Sequence, residues 1–237
     1  MKESGRITGE ALLVAEEMIR EGVSTKEIDK KIREYIEKCG AKPSFLGYGG
    51  FPASACISIN DEIIHGIPSE KRILMEGDIV KVDVGAFKGG FHGAAARPFA
   101  VGKVSESAAD LIRVPREGFF EGVSRIRPDA RLGDVGAAIA AHAEGHGYGV
   151  VRKYVGHGIG ADLHESPAVP NYGTAGRGQR LVAGMAIAVE PMINVGSHEV
   201  RVMADGWTVK TADGSLSAHY ENTVVITPDG NILTTLV

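Results

Sequence analysis

The chain has 237 residues, 43% of them hydrophobic and 24% charged, which is enough apolar material for a sizeable core. A net charge of -4 excludes a nucleic-acid binder that works through bulk positive charge, and no apolar run reaches the roughly eighteen residues of a membrane-spanning helix. The opening residues MKESGRITGE hold no apolar signal core. Two cysteines, Cys39 and Cys56, are too few for a secreted disulfide framework, so a reducing cytoplasm is the expected compartment.

The first segment, about Gly5 to Glu21, sets Ala11, Leu12, Ala15, Met18 and Ile19 at helical spacing, and Gly22 stops it. Ser24 followed by Glu27 reads as a capping box. The helix it opens places Ile28, Ile32, Tyr35 and Ile36 on one face and ends at Gly40. Strand-like runs follow at Ala55 to Ile59, Ile79 to Phe87 and Phe91 to Val101. A helical segment from Ala108 to Ile126 contains Pro115, which is expected to kink or split it. Another helix runs from Asp134 to Glu144. Sliding the first half onto the second lays Ile28 on Val135, Ile32 on Ile139 and Gly40 on Gly147, so helix, capped helix and glycine stop occur twice. No polar linker separates the halves. The pattern therefore predicts one pseudo-symmetric α/β (α+β) domain over residues 1–237, with any site at the seam fed from both halves.

In IVKVDVGAFKGGFHGAAARPF, Val80, Val82 and Val84 alternate with Lys81 and Asp83 as in a strand, and Lys88-Gly89-Gly90 supplies a turn. With Lys88 and Gly89 as the loop residues, Asp83 faces Ala94 directly. An acid in a Val-rich strand must be solvated, paired or bound to a cation. Taken alone, Asp83 in water or paired with Arg97 is the commoner arrangement; the second half supplies the argument for a cation. There, His157 sits between glycines in VGHGIGADLHESPAVPNYG with His164 seven residues on, Glu190 ends the apolar run GMAIAVEPMI, and Glu221 lies within SAHYENTVVIT. Each alone reads as a satisfied structural polar group. Together with Asp83 they form a mixed carboxylate and imidazole set suited to Mn, Fe, Co or Zn.

These stretches, with FPASACISINDEIIHGIP, EGDIVKVDVGAF, GFHGAAAR, DGWTVKT and their order, resemble the short bacterial-type (type I) methionine aminopeptidases over essentially the whole chain. The resemblance implies the "pita-bread" fold, two pseudo-symmetric halves around a dinuclear metal centre. It implies removal of the initiator methionine from nascent chains with a small second residue, by a monomer acting on nascent chains at the ribosome, without DNA or membrane partners. Carried over by position, the metal ligands are Asp83, His157, Glu190 and Glu221, while a bridging aspartate of the family falls on Ala94. The resemblance makes Glu190 the proton carrier as well. It sets His65 and His164 beside the scissile amide and Phe45, Tyr48, Phe51, Cys56, Leu163 and Trp207 around the methionine side chain. An aromatic pocket with a cysteine suits a thioether.

Ala94 is the main departure. With it, His157, Glu190 and Glu221 make the three-ligand count of a mononuclear catalytic site, so the expectation is a weakened site, mononuclear or poorly occupied where the family holds two ions, with much reduced activity. Pro98, Ala161 and Pro115 also depart from the family pattern but lie outside the metal shell. Proline-specific relatives of the same fold usually carry an additional N-terminal domain, for which this chain has no room. The rival reading is a pseudoenzyme that binds peptides or a protein partner without cleaving them.

Overall fold

The computed structural model describes all 237 residues. Its first half runs α1 (Lys2–Met18), α2 (Thr25–Lys38), β1 (Lys42–Pro43), β2 (Ala55–Ile59), β3 (Glu62–Ile64), β4 (Ile79–Lys88) and β5 (Phe91–Ala100). The second begins with α3 (Glu106–Val123) and α4 (Leu132–Gly145). Short strands follow: β6 (Gly149–Val150), β7 (Gly156–Gly158), β8 (Glu165–Val169), β9 (Ala186–Val189), β10 (Met192–Asn194), β11 (Val200–Val202), β12 (Val209–Thr211), β13 (Ser217–His219), β14 (Glu221–Thr227) and β15 (Gly230–Leu233). The helix–helix–strand order does occur twice.

The largest sheet is antiparallel in the order β1-β4-β5-β14-β9-β7-β8, with β2 also on β4 and β15 on β14. Its middle pair, β5 with β14, joins strands of the two halves, pairing Glu221 with Ala96 and Asn222 with Ala95. Each half buries its own helices against this sheet. Ile7, Ala11, Leu12, Ile28, Ile32 and Ile36 pack on Val80, Val82 and Val84. Phe119, Val135 and Ile139 pack with Val189, Val224 and Ile226. These apolar stripes recur at helical spacing, and each helix covers one face of the sheet with them. α2 starts where the capping box predicts. Ser24 Oγ accepts from Glu27 N at 3.2 Å, and Ser24 N donates to Glu27 Oε2 at 2.8 Å.

Three expectations are corrected. The β4–β5 loop is Gly89-Gly90, not Lys88-Gly89: Lys88 pairs with Phe91, so Asp83 faces Ala96 and Ala94 faces Gly85. The reason is steric, because a two-residue turn of this hand needs positive φ at both central residues. Gly89 (φ 60°) and Gly90 (φ 84°) adopt it freely, whereas Lys88 would be strained. Pro115 does not split its helix, which runs unbroken from Glu106 to Val123. Proline there forfeits one hydrogen bond, and buried Leu111, Val114 and Phe119 hold the helix on either side. Arg97 does not pair with Asp83 either. Its guanidinium donates to Glu221 O and Asn222 Oδ1, both at 2.6 Å, and lies 4.3 Å from the Tyr220 ring centre.

Candidate metal and peptide site

Four strands deliver the polar residues to one cavity of about 240 Å³. Asp83 comes from the middle of β4 and Glu221 from the first residue of β14. Glu190 follows the last residue of β9, where Pro191 ends the strand, and its backbone carbonyl accepts from Asn171 Nδ2 at 2.9 Å. His157 is central in β7. The glycines beside it serve strand packing. A Cβ on Gly156 would meet Ala188 O at 2.3 Å, and one on Gly158 would meet Ser166 O at 2.2 Å. Only glycine lets β7 lie so close to its neighbours, and that closeness puts His157 opposite Ala188, two residues before Glu190.

His157 Nδ1 donates to Gly158 O at 2.8 Å, which leaves Nε2 as a free lone pair 3.9 Å from Glu190 Oε1. Orienting a ring through its other nitrogen is the usual support for a metal-binding histidine. One donor atom each from His157, Glu190 and Glu221 lie within 4.8 Å of one another. Asp83 stands outside that trio but lines the same cavity, with Oδ1 buried and without a hydrogen-bond partner.

The electrostatics are those of buried, crowded acids, with the Arg97 guanidinium offsetting only part of the burden on Glu221. Burial pushes the Asp83 carboxyl up to about 7 and the Glu190 carboxyl up to about 8. Burial first, and then repulsion from Asp83 and Glu190, raises Glu221 well above the carboxylate range. Burial also holds His157 down at about 4, in the neutral form that ligates metals. The only ion-pair neighbours of Glu190 are the neutral imidazoles of His157 and His219. Three acids, a neutral imidazole with a free lone pair and an orphaned Asp83 oxygen fit a divalent cation, which supplies the missing positive charge.

The apolar wall completes the cavity. Phe45, Tyr48, Phe51, Cys56, Leu163 and Trp207 line it together with His65, His164 and Ala94. All the candidate metal-ligating and substrate-binding residues read from the sequence, with Ala94, thus line one cavity. Phe51 meets Trp207 edge to face with centroids 5.1 Å apart, and His65 packs on the same indole. Cys56 is paired with Asp83 across β2 and β4 and is buried. Phe45 leans over β4 at Gly85, where any Cβ would come within 2.8 Å of its ring. His164 Nδ1 lies 2.6 Å from Tyr48 Oη, and its ring stands 4.2 Å from that of His157.

The sequence reading missed His219. It is 1% exposed, neither ring nitrogen has a hydrogen-bond partner, and Nε2 lies 3.4 Å from Glu190 Oε2. The signal was present: His219 and Glu221 are two apart in an extended run, the spacing that puts side chains on one face. Tyr154, Val155 and Ile64 also line the cavity and carried no comparable signal.

The family model for metallopeptidase family M24 matches residues 1–228, so the chain belongs to that family and is a metallopeptidase that uses divalent metal. It is 53% identical to a methionine aminopeptidase of Clostridium acetobutylicum, over 100% of this chain and 94% of that one. It is 45% identical to methionine aminopeptidase 1 of Bacillus subtilis, over 99% and 94%. Among solved structures, methionine aminopeptidase from Thermotoga maritima superposes with a TM-score of 0.98 at 42% identity, covering 100% of this chain and 95% of that one. Prolidase from Pyrococcus furiosus, at 22% identity and a TM-score of 0.77, shares the fold; the chain spans 62% of its length. The architecture is the pita-bread fold.

Proposed function

We propose that this metallopeptidase is a methionine aminopeptidase, removing the N-terminal methionine of new proteins whose second residue is small. One observation carries the reading. The cavity that holds His157, Glu190, Glu221 and Asp83 is continuous with a wall of aromatic residues and a cysteine. Methionine is the side chain that suits such a wall, being unbranched, apolar and polarisable. The single pita-bread domain of residues 1–237, working as a monomer in the cytoplasm on nascent chains, is part of the same proposal.

His157, Glu190 and Glu221 would hold the cation, with Asp83 at its edge. When bound, a divalent ion of the Mn, Fe, Co or Zn type supplies Lewis acidity to the substrate carbonyl and lowers the pKa of water. The protein does the rest. Phe51 and Trp207 seat the methionine side chain, and the buried wall excludes water from around it. His164, whose Nδ1 lies 2.6 Å from Tyr48 Oη, and His65 line the same cavity and would hydrogen-bond the scissile amide. Glu190, which lines the cavity beside His157, would also pass a proton to the departing amine.

Ala94 sets the stoichiometry. The three-donor cluster has enough ligands for one ion, while the second position has Asp83 and faces a methyl group instead of another carboxylate. The chain is therefore proposed to hold one ion where two are usual for its kind, and to turn over slowly. Ala94 also favours a second reading, peptide binding without cleavage. Metal-loaded protein incubated with a Met-Ala-Ser peptide separates them. Release of free methionine that His157→Ala abolishes supports the peptidase. Peptide binding with no release under any of the four metals supports the binder.

A further inference from the structure

A second donor cluster lies away from this cavity, between α3 and α4. Glu117, His142 and His146 each offer one ligand atom, all within 4.8 Å of one another. His142 lies in the last turn of α4 and His146, four residues on, is the residue that caps it. His146 Nδ1 lies 2.9 Å from His142 O; a carbonyl only accepts, so Nδ1 carries the proton and Nε2 is the free lone pair. His142 Nε2 is 3.2 Å from Glu117 Oε2, yet it is buried and makes no hydrogen bond. A tetrahedral ion with bonds of about 2.0–2.1 Å holds its ligand atoms roughly 3.3 Å apart, which is the spacing of this pair.

The scaffold beneath is stiff. A Cβ on Gly122 would come within 2.7 Å of Ile139 Cγ1, so α3 and α4 pack close at this point. Arg113 pairs with Glu117 one helical turn away and also with Asp110, which in turn accepts from Tyr148 Oη at 2.9 Å. That chain holds the Glu117 carboxylate through Oε2, the oxygen that also faces His142 Nε2, so an ion would share Oε2 with Arg113 or take Oε1, which makes no hydrogen bond.

We propose that Glu117, His142 and His146 form a peripheral site for a borderline-soft divalent ion, Zn²⁺ above all, which clips α3 to α4. Two imidazoles and one carboxylate select Zn, Co, Ni or Cu over Mg and Ca. The set shares no residue with the cavity ligands, so the clip acts on the stability of the second half and not on peptide turnover. An ion bound only by the folded chain raises its melting temperature.

The full chain, stripped with a chelator and dialysed against micromolar Zn²⁺, tests this by bound-metal analysis and melting temperature. Wild type is expected to retain one more equivalent of zinc than His142→Ala or His146→Ala. Its melting temperature should rise further with zinc than theirs, and Mg²⁺ should not reproduce the difference. His146→Gln, at an exposed position, serves where His142→Ala folds poorly. Glu221→Gln should lose the cavity equivalent and keep the peripheral one, and His146→Ala should match wild type in peptide turnover at saturating metal. Equal zinc content and affinity in wild type and both His146 variants would overturn the proposal, as would loss of all zinc in Glu221→Gln.

Discussion

Replacing Ala94 with aspartate should reverse the sign of its effect depending on whether metal is bound. Ala94 is 2% exposed, lines the cavity, and packs with Ile159 and Leu163. An added carboxylate there meets the environment that already raises Asp83 from 3.8 to about 7. That shift of roughly three units, at about 1.36 kcal/mol each, is about 4 kcal/mol against the ionised form. The sign follows from the direction of the shift. A raised acid costs nothing below its unfolded pKa, and the penalty grows as pH climbs through that value and is complete above the folded one. At pH 8 without metal, Ala94→Asp should therefore lose about 3–4 kcal/mol, or roughly 6–16 °C at about 2–4 °C per kcal/mol for a chain of this length. With saturating Mn²⁺ or Co²⁺ the new carboxylate gains a counter-charge. The variant should then melt near or above wild type, bind a second equivalent, and release methionine from Met-Ala-Ser on the order of 10²-fold faster. Melting curves with and without metal, metal content and methionine release read all three. An equal melting loss in both conditions, with metal content unchanged and turnover within about twofold of wild type, would refute the reasoning.

Other positions yield simpler outcomes. His219→Leu removes the imidazole that stands 3.4 Å from Glu190 Oε2 and should lower kcat with little change in KM, while His219→Gln, which keeps a polar group there, should recover most of it in steady-state kinetics. Trp207→Ala opens the wall that Phe51 packs against and should raise KM for methionyl peptides about tenfold, read by steady-state kinetics. Lys81 is 1% exposed, burial holds its amine down at about 7, and its Nζ donates only to Asn60 O. That carbonyl also accepts from Ser217 N and Oγ, so Lys81→Met leaves it satisfied and should stabilise the chain by about 1 kcal/mol or more in denaturant melts. Ser24→Ala breaks the capping box of α2 and should cost about 1 kcal/mol in the same assay.

The elements most open to sequence reading were those dictated by local chemistry. Ser24 and Glu27 announce a helix start because a cap is satisfied within three residues, and Ile28, Ile32 and Ile36 announce its buried face through periodicity alone. Glu190 and Glu221 were legible because an acid at an apolar strand is costly unless something compensates it. Pro115 misled because propensity counts the lost hydrogen bond and not the tertiary packing of Leu111 and Phe119 that outweighs it. The glycines around His157 were rightly marked as unusual, but the close approach they permit is to Ala188 and Ser166 on neighbouring strands, which no local pattern reveals. Glu117, His142 and His146 were invisible for a similar reason: two come from the end of one helix and its cap, and the third from the helix packed against it.

The hairpin shows why a wrong register left the site reading standing. Moving the turn from Lys88-Gly89 to Gly89-Gly90 shifts the partner of Asp83 from Ala94 to Ala96, a displacement of two residues. Side chains alternate faces with period two, so an even shift preserves the face while an odd one inverts it. Ala94 thus stays on the Asp83 side of the sheet, now diagonal to it and opposite Gly85, where the missing Cβ makes room for Phe45. The diagonal placement separates position 94 from Asp83 by more than a direct cross-strand pair would and turns it toward the wall of Ile159 and Leu163. A carboxylate introduced there would reach the cavity from that apolar side. This is why its cost without a cation should be of the size of the burial penalty that Asp83 already shows.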